Sequence, residues 1–166
     1  MQILGIDPGT VNTGFGMIRA DEGQLHYVGC GVISTSPKSP IAQRLKIIYD
    51  GLKEVIHKFG PHVMAVENIF IARNVNSALK LGHARGVAIL AAVNSELDVF
   101  EYTPAEVKKA VAGNGRAGKE QIKEMVRLLL SQARLPDSHD ASDALALAIC
   151  HSQYREMRER LQRLQS

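Results

Sequence analysis

The sequence predicts one α/β domain built on a mixed, five-stranded sheet flanked by helices. Three observations lead there. The chain opens with three closely spaced β-rich runs joined by turn residues, the pattern of an antiparallel meander. Two later strand-like runs, Val63-Met64-Ala65-Val66 and Val99 to Tyr102, each follow a helical stretch, and a helical crossover returns a strand parallel to its neighbour. At 166 residues, 45% hydrophobic and 22% charged, the chain can bury one core and has a globular balance, which excludes disorder, collagen-like repeats and a coiled-coil rod.

In chain order, Ile3 to Ile6 is an apolar strand ended by Asp7-Pro8-Gly9, and Thr13 to Arg19 and Gln24 to Thr35 follow on either side of Asp21-Glu22-Gly23. Ser39-Pro40 signals a helix start; Ile41, Leu45, Ile48, Leu52, Val55, Ile56 and Phe59 then recur at helical spacing until Gly60-Pro61. Val63 to Val66 is a strand ending in Glu67, expected parallel to the first. Asn76 to Val93 is helical and apolar on nearly every side. That pattern fits a central core helix, or one shared with a second subunit that Gly82 and Gly86 let approach. Thr103-Pro104-Ala105-Glu106 is a capping box with proline at the first helical position. Ile122, Met125, Val126, Leu129 and Leu130 mark another amphipathic helix, and a last one starts near His139.

The net charge of +3 and sequence pI near 9.0 hint at a polyanionic partner. Cys30 and Cys150 are expected as reduced thiols, and no Cys/His cluster has zinc spacing. With no apolar run of about 18 residues and no basic, apolar leader, the expectation is a soluble, cytoplasmic protein.

The chemistry lies in the carboxylates. Asp7 ends a strand, where an ionised acid is costly to bury, although Asp before Pro-Gly is also a good turn residue. Glu67 interrupts a strand-forming run, as a buried salt bridge or as a ligand. If their strands are parallel neighbours, both acids sit at carboxyl ends and point into one crevice, where open α/β sheets place ligands. Asp140 and Asp143 share one face of the last helix, and like charges so placed repel unless a cation or basic partner intervenes. Asp137 and Asp140 have the same spacing; the apolar run Ala144 to Ala148 favours the later pair as core-facing. Four oxygen donors without paired His or Cys suit Mg²⁺ or Mn²⁺, and two such ions could serve phosphodiester hydrolysis. Setting those four acids aside turns the net charge from +3 to +7, as a phosphodiester partner requires.

Ile6-Asp7-Pro8-Gly9 with Gly14, Ala65-Val66-Glu67, Ser77-Ala78-Leu79-Lys80-Leu81-Gly82 with Ala84-Arg85-Gly86-Val87-Ala88, and Asp140-Ala141-Ser142-Asp143-Ala144-Leu145-Ala146 together resemble the RuvC family of Holliday junction resolvases, from Ile3 to about Ile149. The resemblance implies a ribonuclease H-like fold and a homodimer. It also implies paired symmetric nicks across a four-way DNA junction, serving homologous recombination and repair, with Mg²⁺ or Mn²⁺ held by Asp7, Glu67, Asp140 and Asp143. It places a junction-contacting aromatic at Phe70 and basic contacts at Lys108 and Lys119. Arg73 and Asn74, in the link after Phe70, are further DNA-contact candidates, and each of these five could instead be ordinary core or surface. A dimer would cover the 76–93 helix through Leu79, Gly82 and Gly86, and the branch-migration proteins RuvA and RuvB are the implied partners. His139, beside Asp140, is either a surface residue at the helix start or an aid to proton transfer or metal binding. Residues 1–150 are expected to form the nuclease domain and 151–166, rich in arginine, a basic helix end or tail. A junction-binding module, a phosphotransferase and a ribonuclease acting on RNA–DNA hybrids remain alternatives; unneutralised acids argue against the first and the short chain against the second.

Overall fold

The fold is described from a computed structural model, over residues 1–68, 75–132 and 138–165. Strands β1 (Gln2–Asp7), β2 (Asn12–Asp21) and β3 (Gln24–Ser34) form the expected meander. Helix α1 (Ile41–Phe59) returns the chain to β4 (Val63–Glu67), and α2 (Val75–Val93) to β5 (Asp98–Tyr102). Helices α3 (Pro104–Ala112), α4 (Lys119–Leu129) and α5 (His139–Gln165) complete the described elements. The sheet order is β3-β2-β1-β4-β5, with the meander antiparallel and β1–β4 and β4–β5 parallel. The mixed five-stranded sheet is therefore the one the sequence predicts.

Period-two alternation divides the strands between two cores. Leu4 and Ile6 of β1 and Met64 and Val66 of β4 pack with α1 and α2 on one face. Ile3 and Val63, Ala65 and the buried face of α5 form the core on the other. Carried one step further, the same alternation turns Asp7 and Glu67 toward α5.

Helix α5 is the central helix of that layer, and it lies closer to the sheet than side chains normally allow. A Cβ on Gly5 would overlap the Ala144 carbonyl, one on Gly14 the Asp140 carbonyl, and one on Gly16 the backbone of Leu145. Three glycines on two adjacent strands thus form a floor on which the first turns of α5 rest backbone to backbone. Further along, buried His151 shares a 2.8 Å hydrogen bond through Nδ1 with the Tyr102 hydroxyl and packs 4.4 Å from the Phe100 ring centroid. Burial, with Arg155 and Arg158 nearby, pushes its pKa down to about 4.

The structure corrects one reading of α2. It is not a central core helix: Ala84, Ala88, Ala91 and Ala92 are buried against the sheet and α1, while Leu79, Leu90 and Val93 are 57%, 51% and 58% exposed. The capping box on α3 is formed as the sequence predicts, with the Thr103 side chain accepting from the Glu106 backbone and Glu106 reaching back to Thr103.

Candidate active site

The parallel register places Ile6 beside Val66, so the residues that follow, Asp7 and Glu67, end their strands side by side. The loop after Asp7 is fastened from below. Buried Thr13 donates to the Gly9 carbonyl at 2.7 Å, and buried Arg44 donates from Nε to the Thr10 carbonyl at 2.9 Å. Across from the strand ends, the glycine floor sets the register of α5 and brings Asp140 and Asp143 over the same point.

All four acids line one crevice of about 350 Å³, together with Lys108 of α3 and Lys119 of α4. Apolar side chains, among them Val107, Ile122 and Leu147, form the rest of its wall. This low-dielectric setting penalises ionised carboxylates. Burial, reinforced by the charges of Asp143, Glu67 and Asp140 and opposed by Lys119, pushes the Asp7 pKa up to about 7. Glu67 is raised by burial and by Asp143, against Lys119 and Lys108. Asp143 is raised by burial and, less strongly, by Asp140, against the pull of Lys119 and His139. Three acids that resist ionisation in one crevice form a site that favours added positive charge.

The donor set fits a hard divalent cation: all oxygen, four carboxylates, two on a rigid sheet and two on a rigid helix. The acids share the crevice without converging tightly; among the described residues no three His, Cys, Asp or Glu side chains stand close enough to hold an ion as placed.

Of the residues singled out from the sequence, the crevice unites Asp7, Glu67, Asp140, Asp143, Lys108 and Lys119. Leu79, Gly82 and Gly86 lie elsewhere, on the exposed face of α2. Phe70, Arg73, Asn74 and Asp137 fall outside the described residues. The sequence reading missed the floor of Gly5, Gly14 and Gly16, although glycine recurring inside a strand pattern signals close backbone approach. It also missed the part played by Arg85, which reaches the Glu67 main chain. No helix among the described residues is long and apolar enough to cross a membrane.

Residues 3–151 match the family model for crossover junction endodeoxyribonuclease RuvC. A protein of that name from Syntrophotalea carbinolica is 57% identical over 152 residues, 92% of this chain and 94% of the relative. Among solved structures, T. thermophilus RuvC in complex with Holliday junction substrate superposes with a TM-score of 0.90 at 36% identity, covering 95% of this chain and 96% of the other. The yeast mitochondrial Holliday junction resolvase Ydc2, at 15% identity and a TM-score of 0.64 over 93% of this chain and 78% of its own, shares the ribonuclease H-like fold.

Proposed function

The chain belongs to the RuvC family of crossover junction endodeoxyribonucleases, and from that premise we propose that it resolves four-way DNA junctions by paired, symmetric nicks, one from each active site of a homodimer. The observation that carries the reading is the single crevice in which four carboxylates face two lysines. Asp7, Glu67, Asp140 and Asp143 would hold Mg²⁺ or Mn²⁺, two ions per site by their number. Such ions, when bound, supply the positive charge that polarises water and a phosphodiester oxygen.

The protein's own groups do the rest. The sheet and α5 hold the acids in fixed relation, so little ordering remains to be done when substrate arrives. Lys119 and Lys108, already offsetting the acids, receive the strand's phosphates at the crevice and orient the bond to be cut. The apolar wall limits water around the reacting phosphate. Hydrolysis adds one water across one P–O bond, and the departing oxygen takes up a proton. Phe70, Arg73 and Asn74 would contact the junction, and RuvA and RuvB would deliver the substrate in the cytoplasm.

Labelled four-way junction, matched linear duplex and RNA–DNA hybrid, each incubated with Mg²⁺, Mn²⁺ or EDTA, test the reading. Symmetric nicks confined to the junction and lost in EDTA are expected. Cleavage of the hybrid with the junction spared would make the protein a ribonuclease instead.

The homodimer is supported by the exposed stripe of α2, where Val75, Leu79, Gly82, Gly86, Leu90 and Val93 follow one another at helical spacing. Single-sign or purely polar partners would leave this stripe in water, whereas a second copy covers it with its like. A Cβ on Gly82 meets nothing within 4 Å in the single chain. Gly82→Phe should therefore leave the fold intact while halving the mass measured by light scattering, and lower the melting temperature only by what association of the second copy contributes. An unchanged mass would remove α2 from the interface.

A further inference from the structure

Arg85 connects the exposed helix to the candidate active site. From α2 its Nε donates to the main-chain carbonyl of Glu67 at 3.1 Å, and its Nη2 pairs with Glu101 Oε2 at 2.5 Å. Glu67 is the last residue of β4 and Glu101 lies in β5, paired with Val66. One guanidinium fork thus spans the ends of two neighbouring strands, at the point where the chain leaves the sheet. Its side chain is 22% exposed and that of Glu101 42%, so the part-buried bond to the Glu67 carbonyl is the better shielded of the two and water competes more with the ion pair.

The fork holds the peptide group of Glu67, leaving the carboxylate free for the crevice. A strand's last residue has its main chain paired on fewer sides than those within the ladder, and its side chain is correspondingly free to swing. An arginine can hold such a carbonyl while its second arm is anchored on an acid; a lysine, with one compact ammonium, cannot reproduce the planar two-armed geometry. On the same helical turns Gly82 and Gly86 face outward, one residue position away from Arg85 in the case of Gly86.

We propose that Arg85 is a positioning residue for cleavage: it fixes the Glu67 backbone so that the carboxylate enters the crevice. The inference rests on the reading of Glu67 as a cation ligand for junction cleavage. It assigns Arg85 no contact with substrate.

The test compares wild type, Arg85→Lys and Arg85→Gln as full chains. Mn²⁺ affinity is measured by titration calorimetry without DNA, single-turnover junction cleavage at saturating protein, junction binding in EDTA, and melting temperature. Arg85→Gln should weaken Mn²⁺ binding by about 10-fold or more and slow single-turnover cleavage by about 10- to 100-fold. Junction binding and melting should stay close to wild type. Arg85→Lys, keeping one arm, should fall between. Wild-type Mn²⁺ affinity and rate in Arg85→Gln would overturn the proposal. So would a parallel loss of melting temperature, junction binding and rate, the mark of a merely structural tether. If wild type itself left junctions uncut, the resolvase reading would fail, while the calorimetric comparison would still decide whether Arg85 aims Glu67.

Discussion

Asp7→Asn should reduce junction cleavage to background, a loss of ~10³-fold or more, while making the protein more stable in EDTA at neutral pH. The second effect follows from the first residue's burden. The folded-state pKa of Asp7 is about 7 against an ordinary value of 3.8, so the folded form binds the proton more tightly than the unfolded one. Stability is then greatest at low pH and falls as pH rises from about 4 to about 7. Asparagine carries no charge and removes the loss. Allowing for partial solvent access, the gain at pH 7.5 is about 2–4 kcal/mol, or roughly 5–15 °C in melting temperature for a chain of this size. His151 works in the opposite sense. Its folded pKa, near 4, lies below the ordinary 6.5, so its contribution is present above about pH 6.5 and is lost as pH falls toward 4. In wild type the two slopes oppose each other; Asp7→Asn should flatten the falling limb, leaving only the contributions of Glu67 and Asp143 against the rising limb of His151. Melting curves in EDTA from pH 4 to 8 check this, and equal melting temperatures at pH 7.5 would refute the stored repulsion. Addition of Mg²⁺ should close the gap by stabilising wild type preferentially.

Gly5→Ala should cost ~3 kcal/mol or more and abolish cleavage, although it adds a single methyl group. The methyl would overlap the Ala144 carbonyl, and backbone cannot rotate aside as a flexible side chain can. Helix α5 must lift, carrying Asp140 and Asp143 away from the strand ends. Gly82→Ala supplies the contrast. In the dissociated chain it sits in a helix with open space around the added atom, so at protein concentrations too low for the dimer it should stabilise by about 0.5–1 kcal/mol through helix propensity. Urea midpoints measure both, and a Gly5→Ala protein with the wild-type midpoint would exclude the close approach.

The sheet is legible in the sequence because its strands obey a simple rule: alternating burial in Ile3 to Asp7 and in Val63 to Glu67 commits each side chain to a face, and a helical crossover makes the two strands parallel. That rule also carries Asp7 and Glu67 into one crevice. That Asp140 and Asp143 share the crevice is readable from the apolar run that follows them. Helix α2 is less so. All-round apolarity does not reveal whether its outer face meets the same chain or another, and small residues such as Ala84 and Ala88 bury a face that a count of large hydrophobes overlooks. Glycine contacts are invisible for a related reason: what matters at Gly5 is the backbone it meets, and nothing local in the sequence names Ala144. Arg85 stands within a recognisable motif, yet its partners, a carbonyl and an acid on two strands, become apparent only once the helix is docked.

The glycine floor has a consequence for synthesis. Strand β1 is the first and α5 the last of the described elements, so the contacts that bring the four acids together are among the most distant in sequence, the kind that costs most chain entropy to close. A nascent or truncated chain can carry Asp7 and Glu67 on a partly assembled sheet and still lack half its ligands. On the reading proposed above, a chain lacking α5 would lack Asp140 and Asp143 and would not cut.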